Sequence, residues 1–171
     1  TRRSSDLSSD YGPMRVGTPH LPNSWATLTP MPTARMSPAS AAVDGIIYIA
    51  GGSDAAGATM VVEAYDPSTD TWSTKAPLPY LPGTGGSVAF GGKIYFICAG
   101  STMMYDPASN AWSLDTAHGG TLTPPLDARY YHAAAVATDT DGKSQIFLVG
   151  GWQNGYGYYN TVIVYDPAAN S

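Results

Sequence analysis

The chain has 171 residues, enough to bury a full-sized hydrophobic core, and it carries a formal net charge of −5 with only 12% charged residues. This acidic balance argues against nucleic acid as a partner, and no apolar run approaches the roughly 20 residues of a membrane-spanning helix. Its single cysteine excludes an intrachain disulfide, and the abundance of Asp, Gly and Pro favours strands and tight turns over helices.

The first 24 residues mix Ser, Pro, Gly and charged side chains without a period of 2 or 3.6. We predict an extended arm or linker over residues 1–24. The chain starts at Thr1 rather than Met, so we expect a processed protein, a trimmed one or a fragment, and no signal peptide is visible, as expected after cleavage. Its low content of Lys and Glu favours an extracellular or secreted location, while a lone cysteine leaves the cytoplasm open.

Residues 25–171 repeat one pattern three times. Residues 25–32 (WATLTPMP) match residues 72–79 (WSTKAPLP), and a looser copy begins at Trp112. The spacings between successive copies are 47 and 40 residues. A period in the forties with about four strands per unit is typical of a propeller blade.

Four strands are predicted in each unit. The first strands are small-residue runs, which suit the crowded innermost position, and the second are nearly continuous apolar runs, as in strands covered on both faces. The first strands fall at residues 37–43, 86–90 and 132–138, the second at 46–50, 94–98 and 146–149, and the third at 60–65, 102–105 and 161–165. The fourth strands are the tryptophan-led segments, with residues 25–32 as an additional strand closed by prolines.

Turn residues separate these strands. Asp-Pro followed by Ser-Thr-Asp, Ala-Ser-Asn or Ala-Ala-Asn predicts a tight turn between third and fourth strands, since Asp accepts backbone hydrogen bonds and Pro presets φ. Glycine pairs after the second strand allow backbone angles that other residues resist. Asp141-Gly142 predicts a hairpin turn rather than a calcium loop, because Leu148 occupies the place of the loop's final Glu.

This pattern resembles the Kelch-repeat family, and the resemblance implies an all-β, Kelch-type β-propeller with three four-stranded blades. It covers residues 25–171. It is carried by Gly51, Gly52, Tyr65 and Trp72, by Gly100, Tyr105 and Trp112, by Gly150, Gly151 and Tyr165, and by Arg35 and Arg129 ahead of the first strands. The middle unit departs from the pattern, with Gly83 about where its arginine is expected and a contracted loop after Gly100.

The repeat pattern begins with a fourth strand and stops after a third strand, so the last unit lacks its own fourth strand. The segment led by Trp25 resembles the shared closing strand of Kelch propellers. Three blades cannot close a ring, since propellers use about four to eight. We therefore predict a homo-oligomer in which two chains close six blades, a head-to-tail assembly by strand donation, or a part of a longer propeller.

Because successive strands run antiparallel, the loops alternate between the two sides of the propeller, and the long aromatic loops fall on one side. On this side we predict ligand-binding residues in the segment WQNGYGYYN and near it: Trp152, Tyr156, Tyr158, Tyr159 and His118. Aromatic rings with neighbouring amides suit a protein or glycan ligand. The alternative is that these rings cover the blade edge or contact another subunit.

Arg35 and Arg129 have two readings as well. Each arginine lies just ahead of a first strand, where it would line the mouth of the channel and bind carboxylates. The alternative is a structural hydrogen-bond fork to carbonyls of neighbouring strands.

Motifs of catalysis are lacking in the sequence. There is no nucleophile elbow, phosphate loop or paired carboxylate motif, and His20, His118 and His132 have no metal-ligand spacing. Cys98 is predicted to be a small buried side chain. We therefore predict no cofactor and a non-catalytic propeller module that binds a protein or glycan; the alternatives are a structural self-assembling subunit and a fragment of a carbohydrate-active or galactose-oxidase-like enzyme.

Overall fold

The computed structural model describes residues 25–81 and 83–170. The predicted arm, with His20, lies outside the described residues. The chain divides into two compact units, residues 1–30 and 31–171. In the first unit the described residues form no strand, and Trp25 is fully exposed.

Residues 25–32 form no strand within the single chain. A donated strand forms only beside its acceptor edge, so their predicted closing role stays a prediction.

The second unit contains short strands and one turn of 3₁₀ helix at Thr116–His118. The strands are β1 (Ala39–Val43), β2 (Ile46–Ala50), β3 (Ser53–Asp54), β4 (Gly57–Ala58), β5 (Val62–Asp66), β6 (Thr71–Thr74), β7 (Gly86–Phe90), β8 (Lys93–Cys98), β9 (Ser101–Asp106), β10 (Ala111–Leu114), β11 (Ala133–Thr138), β12 (Ser144–Val149), β13 (Trp152–Gln153), β14 (Gly157–Tyr158) and β15 (Val162–Tyr165).

These strands build three antiparallel sheets, which we call the first, second and third blades. The first blade has the order β1-β2-β5-β6, the second β7-β8-β9-β10 and the third β11-β12-β15. Two small hairpins, β3–β4 and β13–β14, project from the first and third blades. The all-β propeller prediction is confirmed. Within the described residues the third blade has three strands, in line with the repeat pattern, which leaves the last unit without its own fourth strand.

The first strands of the blades lie side by side, with β7 in contact with both β1 and β11. Small residues allow this approach. A Cβ atom on Gly86 would lie 2.6 Å from Ala134 Cβ, closer than side chains can come. The prediction that small residues mark the innermost strands is therefore confirmed.

The hydrophobic core consists of two layers, one on each face of the second blade. Successive residues of β8 alternate between them. Ile94 and Phe96 pack with Tyr48 of the first blade, whereas Tyr95 and Ile97 pack with side chains of the third blade, including Ile146 and Leu148. As predicted, β8 is covered on both faces.

The outer faces of the first and third blades are not covered by another blade in the single chain. Cross-strand pairing places Ile47, Ile49, Tyr65 and Trp72 on the outer face of the first blade. The outer face of the third blade carries Phe147, Val149, Val162 and Val164. Val149, Val162 and Val164 are 47%, 58% and 50% exposed, so this face is an apolar surface open to solvent.

The repeated tyrosines lock the turns between third and fourth strands. Each donates its hydroxyl to a carboxylate or amide oxygen five residues later: Tyr65 to Asp70 (2.7 Å), Tyr105 to Asn110 (2.6 Å) and Tyr165 to Asn170 (2.9 Å). The acceptor residues have left-handed backbones, with φ of 57°, 52° and 56°. Asp and Asn tolerate this conformation better than most residues, which explains their place in the repeat.

The two repeat tryptophans occupy different surroundings. Trp112 packs between the first two blades, with ring centroids 5.3 Å from Phe96 and 5.0 Å from Tyr105. Its Nε1 donates to the Ala76 carbonyl at 3.0 Å. Trp72 packs on Tyr65 at 5.0 Å, on the outer face of the first blade. Within the described residues, Trp112 therefore fills a layer between two blades, and Trp72 lies on an outer face.

Candidate functional site

The longer connections meet at one end of the second unit, as predicted. Met36 forms a backbone bridge with Ser53, and Tyr130 forms one with Trp152. Each bridge joins the segment that precedes a first strand to the loop that follows a second strand. The Asp-Pro turns lie at the other ends of the strands. We call the first surface the loop-rich end.

A cleft of about 480 Å³ opens at the loop-rich end between the first and second blades. Its deeper side chains are Leu78, Phe96 and Cys98, and Tyr131 lines it as well. Much of the remaining wall is backbone and small side chains, from residues 37–39, 50–53 and 83–85. Such a cleft presents peptide groups and apolar surface rather than charge.

Two residues at the cleft have left-handed backbones without being glycine. Ser37 has a φ of 50° and Tyr131 a φ of 57°, and each lies two residues after an arginine of the repeat. This conformation is strained for a bulky residue such as tyrosine. Tyr131 is 71% exposed.

The aromatic loop forms the β13–β14 hairpin, and its four predicted binding residues divide into two pairs. Tyr156 and Tyr158 are 78% and 91% exposed. Trp152 packs near Tyr130, at 6.3 Å between ring centroids, and Tyr159 donates its hydroxyl to Gln153 Oε1 at 2.5 Å. The hairpin therefore exposes two tyrosines to solvent, while the other two rings make contacts within the chain.

Arg129 is fully engaged inside the third blade. It is 1% exposed, and Asp127 accepts from its Nε and Nη2 at 2.7 Å each. Nη1 donates to the Gly150 carbonyl at 2.9 Å, Nη2 donates to Thr161 Oγ1 at 2.9 Å, and Tyr159 lies 4.5 Å from the guanidinium carbon. This is the arrangement of the structural fork, because the donors already have acceptors.

Arg35 has a matching position ahead of the first blade. Its side chain is fully buried, Nη2 donates to Glu63 at 2.6 Å and Nη1 donates to the Val61 carbonyl at 2.9 Å. Thr33 donates to the other Glu63 oxygen at 2.8 Å. Nε has no acceptor among the described residues. The only glutamate of the chain is thus the buried partner of Arg35.

His118 belongs to a small network at the loop-rich end that the sequence pattern did not predict. Its Nδ1 lies 2.7 Å from Oδ1 of Asp115, and its ring stacks on Tyr80 at 4.2 Å. Tyr80 in turn is hydrogen-bonded to Ser101. Burial alone would raise the pKa of Asp115, but hydrogen bonds from the Thr102 N–H and from His118 hold it below its usual value.

His132 and Cys98 are buried near the cleft without an activating partner. Burial lowers the pKa of His132, whose Nε2 accepts from the Gly86 N–H at 3.2 Å. Burial raises the pKa of the Cys98 thiol to about 12, so the sulfur is protonated at neutral pH. A thiolate nucleophile is therefore not available at this position.

A metal site is not formed by the described part of the chain, where no three His, Cys, Asp or Glu side chains converge. No helix within residues 25–81 and 83–170 has the length and apolarity needed to cross a bilayer.

Comparison with known proteins gives matches to Kelch sequences. A family model described as the Kelch motif matches residues 34–79. The chain is 29% identical to Kelch-like protein 35 of Mus musculus over 148 residues, which cover 85% of this chain and 24% of that protein. It is 36% identical to Kelch-like protein 21 of Homo sapiens over 195 aligned residues, covering 85% and 30%.

A plant relative is similar over a shorter stretch. An F-box/kelch-repeat protein of Arabidopsis thaliana is 32% identical over 95 residues, which cover 52% of this chain and 24% of that protein. The chain spans about a quarter of the length of the curated relatives it matches.

Proposed function

The chain contains a Kelch-repeat segment folded into propeller blades, and from this we propose that it is a non-catalytic protein-binding module that recognises its partner at the loop-rich end. The observation that carries the proposal is the set of exposed tyrosines at the loop-rich end: Tyr131, which lines the cleft, and Tyr156 and Tyr158 on the β13–β14 hairpin. Tyrosine is enriched in protein interfaces because its ring buries apolar area while its hydroxyl forms hydrogen bonds.

The shape and chemistry of this end favour an extended, weakly charged peptide. The cleft walls consist largely of small residues and backbone. Backbone N–H and C=O groups can form hydrogen bonds with the backbone of an extended peptide. The nearby arginines have internal partners, and the Gln153 amide oxygen already accepts from Tyr159. A glycan ligand, which pairs sugar hydroxyls with free polar side chains, is the alternative within this function.

A peptide-display library and a glycan array, both probed with the full chain, test the proposal. We expect enriched peptides, and at least tenfold weaker binding by the triple variant Tyr131→Ala, Tyr156→Ala, Tyr158→Ala at unchanged melting temperature. Ser109→Ala, in a turn at the opposite end, is the control and keeps full affinity. If the selected peptides bound the triple variant as tightly as the wild type, the proposed site would be wrong. If the chain bound glycans and no peptide, the ligand would be a glycan instead of a peptide.

A second candidate function is self-assembly, and the outer face of the third blade favours it. That face exposes Val149, Val162 and Val164, and β15 is the edge strand of its sheet among the described strands. An exposed apolar face next to an open edge is a surface that proteins normally cover. Two chains would then complete a six-bladed ring, or successive chains would form a filament.

The mass of the chain in solution separates these assemblies. A ring of two chains has twice the chain mass of 17.9 kDa, and a filament has a mass that grows with concentration. A monomer at all concentrations, measured by light scattering, would overturn self-assembly and leave the binding module intact. The predicted extracellular location has no support among the relatives and stays a prediction beside the cytoplasmic one.

A further inference from the structure

The second blade lacks a backbone bridge that the other two blades share. In the first blade, Met36 and Ser53 exchange two hydrogen bonds, each N–H donating to the other carbonyl, at 2.8 and 3.0 Å. In the third blade, Tyr130 and Trp152 do the same at 2.7 and 2.9 Å. Each bridge ties the segment that leads into a first strand to the loop that follows the second strand. The bridge is therefore a repeated part of the loop-rich end.

The strand register identifies the corresponding residues of the second blade. In each bridge, one residue lies three positions before the first strand, and the other lies three positions after the partner of that strand's first residue. In the second blade β7 begins at Gly86, which pairs with Ile97, so the two positions are Gly83 and Gly100. Within residues 25–81 and 83–170, no backbone hydrogen bond joins these two glycines.

A tight turn explains why this bridge is missing. β8 and β9 are joined by Ala99 and Gly100 alone, with φ of 50° and 83°. Positive φ at both central residues is typical of a type I′ hairpin turn, which reverses the chain at once. The Ala99 N–H donates to the third blade instead, to the Arg129 carbonyl at 3.2 Å. The turn therefore supplies no extended residue that could pair with Gly83.

Gly83 thus has backbone groups to offer at the cleft. Its N–H and carbonyl have no hydrogen-bond partner among the residues that the structure describes. Gly83 is half-buried, and it lines the cleft of about 480 Å³ together with Thr84 and Gly85. The Thr84 carbonyl accepts from the Tyr131 N–H at 3.2 Å, which holds the segment against the third blade. A fixed segment with an unused donor and acceptor is suited to pair with an extended backbone.

We propose that Gly83 forms this bridge with one residue of an extended peptide from a partner protein. The peptide residue takes the place that Ser53 and Trp152 have in the other blades, where an extended backbone is the occupant. The inference rests on the proposed function, because it concerns the same cleft, and it deepens that function by naming the residue that pairs with the partner.

The lining of the cleft indicates which peptide fits. None of the described residues that line it is charged, and burying a charge without a partner is costly. Leu78 and Phe96, which are 2% and 1% exposed, form its apolar depth. We therefore expect an uncharged segment that places one apolar side chain against Leu78 and Phe96 while its backbone pairs with Gly83.

A loop graft tests the unpaired position without a ligand. Ala99 and Gly100 are replaced by residues 52–60, the loop that supplies Ser53 in the first blade, in the full chain labelled with ¹⁵N-glycine. Deuterium exchange of the Gly83 amide is followed by NMR. Exchange is expected to be at least about tenfold slower in the grafted chain, because the amide gains an acceptor. Protection of this amide already in the wild type, or equal exchange in both chains, would contradict the proposal.

An ester scan tests the bridge from the side of the peptide. The tightest peptide from the display library is resynthesised with one backbone amide at a time replaced by an ester, which removes one N–H donor. We expect a single position at which binding to the full chain weakens about tenfold, because the Gly83 carbonyl loses its donor. Adding the unmodified peptide should also protect the Gly83 amide from exchange. A sensitive ester position without this protection would place the pairing elsewhere and overturn the proposal.

The grafted chain gives a matched comparison for peptide binding. Because its own loop occupies Gly83, it is expected to bind the unmodified peptide at least about tenfold more weakly than the wild type. The control is the same segment inserted between Gly91 and Gly92, in a turn at the opposite end with open space around it, and it keeps full affinity. Equal affinity of the grafted chain and the control would contradict pairing at Gly83.

The failure of this inference is distinguishable from the failure of the proposed function. Selected peptides that bind the chain but tolerate an ester at every position would contradict the bridge alone. A display library that yields no binding peptide would contradict the proposed function and this inference with it.

Discussion

Arg129 illustrates how a charged residue of the repeat becomes part of the core. Its guanidinium joins Asp127, a carbonyl of the glycine pair and Thr161, and so holds together three separate segments of the third blade. A lysine could supply the charge but not the planar set of donors. We regard the arginine as the residue that positions the strained segment containing Tyr131.

Replacing Arg129 by Met is expected to lower the free energy of unfolding by about 3–5 kcal/mol, because it leaves a partly buried carboxylate and several acceptors without their donor. Urea denaturation measures the loss. The control is Lys143→Met, which removes a surface pair with Asp166 and should cost less than about 1 kcal/mol. Similar losses for the two variants would contradict the structural role of Arg129.

Asp127 gives the fold a dependence on pH. The hydrogen bonds from Arg129 hold the pKa of this carboxyl below its usual value. Because the folded pKa is the lower one, the ionised group stabilises the fold above the unfolded pKa of about 4, and this contribution is lost as the pH falls through the folded pKa. The urea midpoint of Asp127→Asn should therefore vary less with acidification than that of the wild type. Parallel midpoint curves below about pH 5 would refute it.

The two repeat tryptophans are expected to differ in their contribution to stability. Trp112→Ala should cost about 3–5 kcal/mol, since it opens a cavity in the layer between blades and removes a hydrogen bond to Ala76. Trp72→Ala should cost less, because Trp72 packs on Tyr65 at the outer face of the first blade, whereas Trp112 lies between two blades. Chemical denaturation of both variants, at concentrations where the chain is monomeric, checks the ratio.

At the scale of the element, glycine determines how closely the first strand of the second blade approaches its neighbour. A Cβ on Gly85 would lie 2.2 Å from the Ile97 carbonyl oxygen and 2.7 Å from Cys98 Cα, and backbone atoms cannot move away. Gly85→Ala should therefore cost about 1–3 kcal/mol or more. The control is Gly91→Asn, at φ +58° with no atom within 4 Å, which should cost less than about 1 kcal/mol. Thermal melts of the two variants measure the two losses of stability and show whether position 85 is the more sensitive one.

The positions of the main strands follow from the sequence because two signals agree. Apolar runs mark the buried second strands, and Gly-Gly and Asp-Pro mark where they end; β2 has the predicted bounds and β8 begins one residue earlier. The hairpins β3–β4 and β13–β14 were not predicted. Strands of two residues have no periodicity, and their pairing depends on bridges to Met36 and Tyr130.

The candidate site is less visible in the sequence than the fold. Counting aromatic residues identifies the β13–β14 hairpin but not that Tyr159 turns inward under Arg129. The left-handed backbone of Tyr131 and the stacking of His118 on Tyr80 depend on contacts between distant segments. For the same reason, spacing alone could not decide whether Arg35 and Arg129 bind a ligand carboxylate or form structural hydrogen bonds within the blades.

At the scale of the whole molecule, the proposed self-assembly would use the outer face of the third blade. Val162→Lys together with Val164→Lys places two charges on this apolar face, and burying them against another chain costs far more than it gains. We expect a lower mass by light scattering with the fold retained, since both side chains are about half exposed. Thr69→Lys, in a turn at the opposite end from the cleft, is the control. An unchanged mass for the double variant would show that copies associate elsewhere.

The double coverage of β8 also sets the order in which the backbone amides become accessible. Its side chains contribute to both layers of the core, whereas β15 packs into the core on one face and is the edge strand of its sheet among the described strands. In hydrogen–deuterium exchange, amides of β8 should therefore exchange only through global unfolding, and those of β15 through local opening at a much lower free energy. When a second chain occupies the edge of the third blade, protection should spread outward to β15 while the exchange of β8 follows global stability alone.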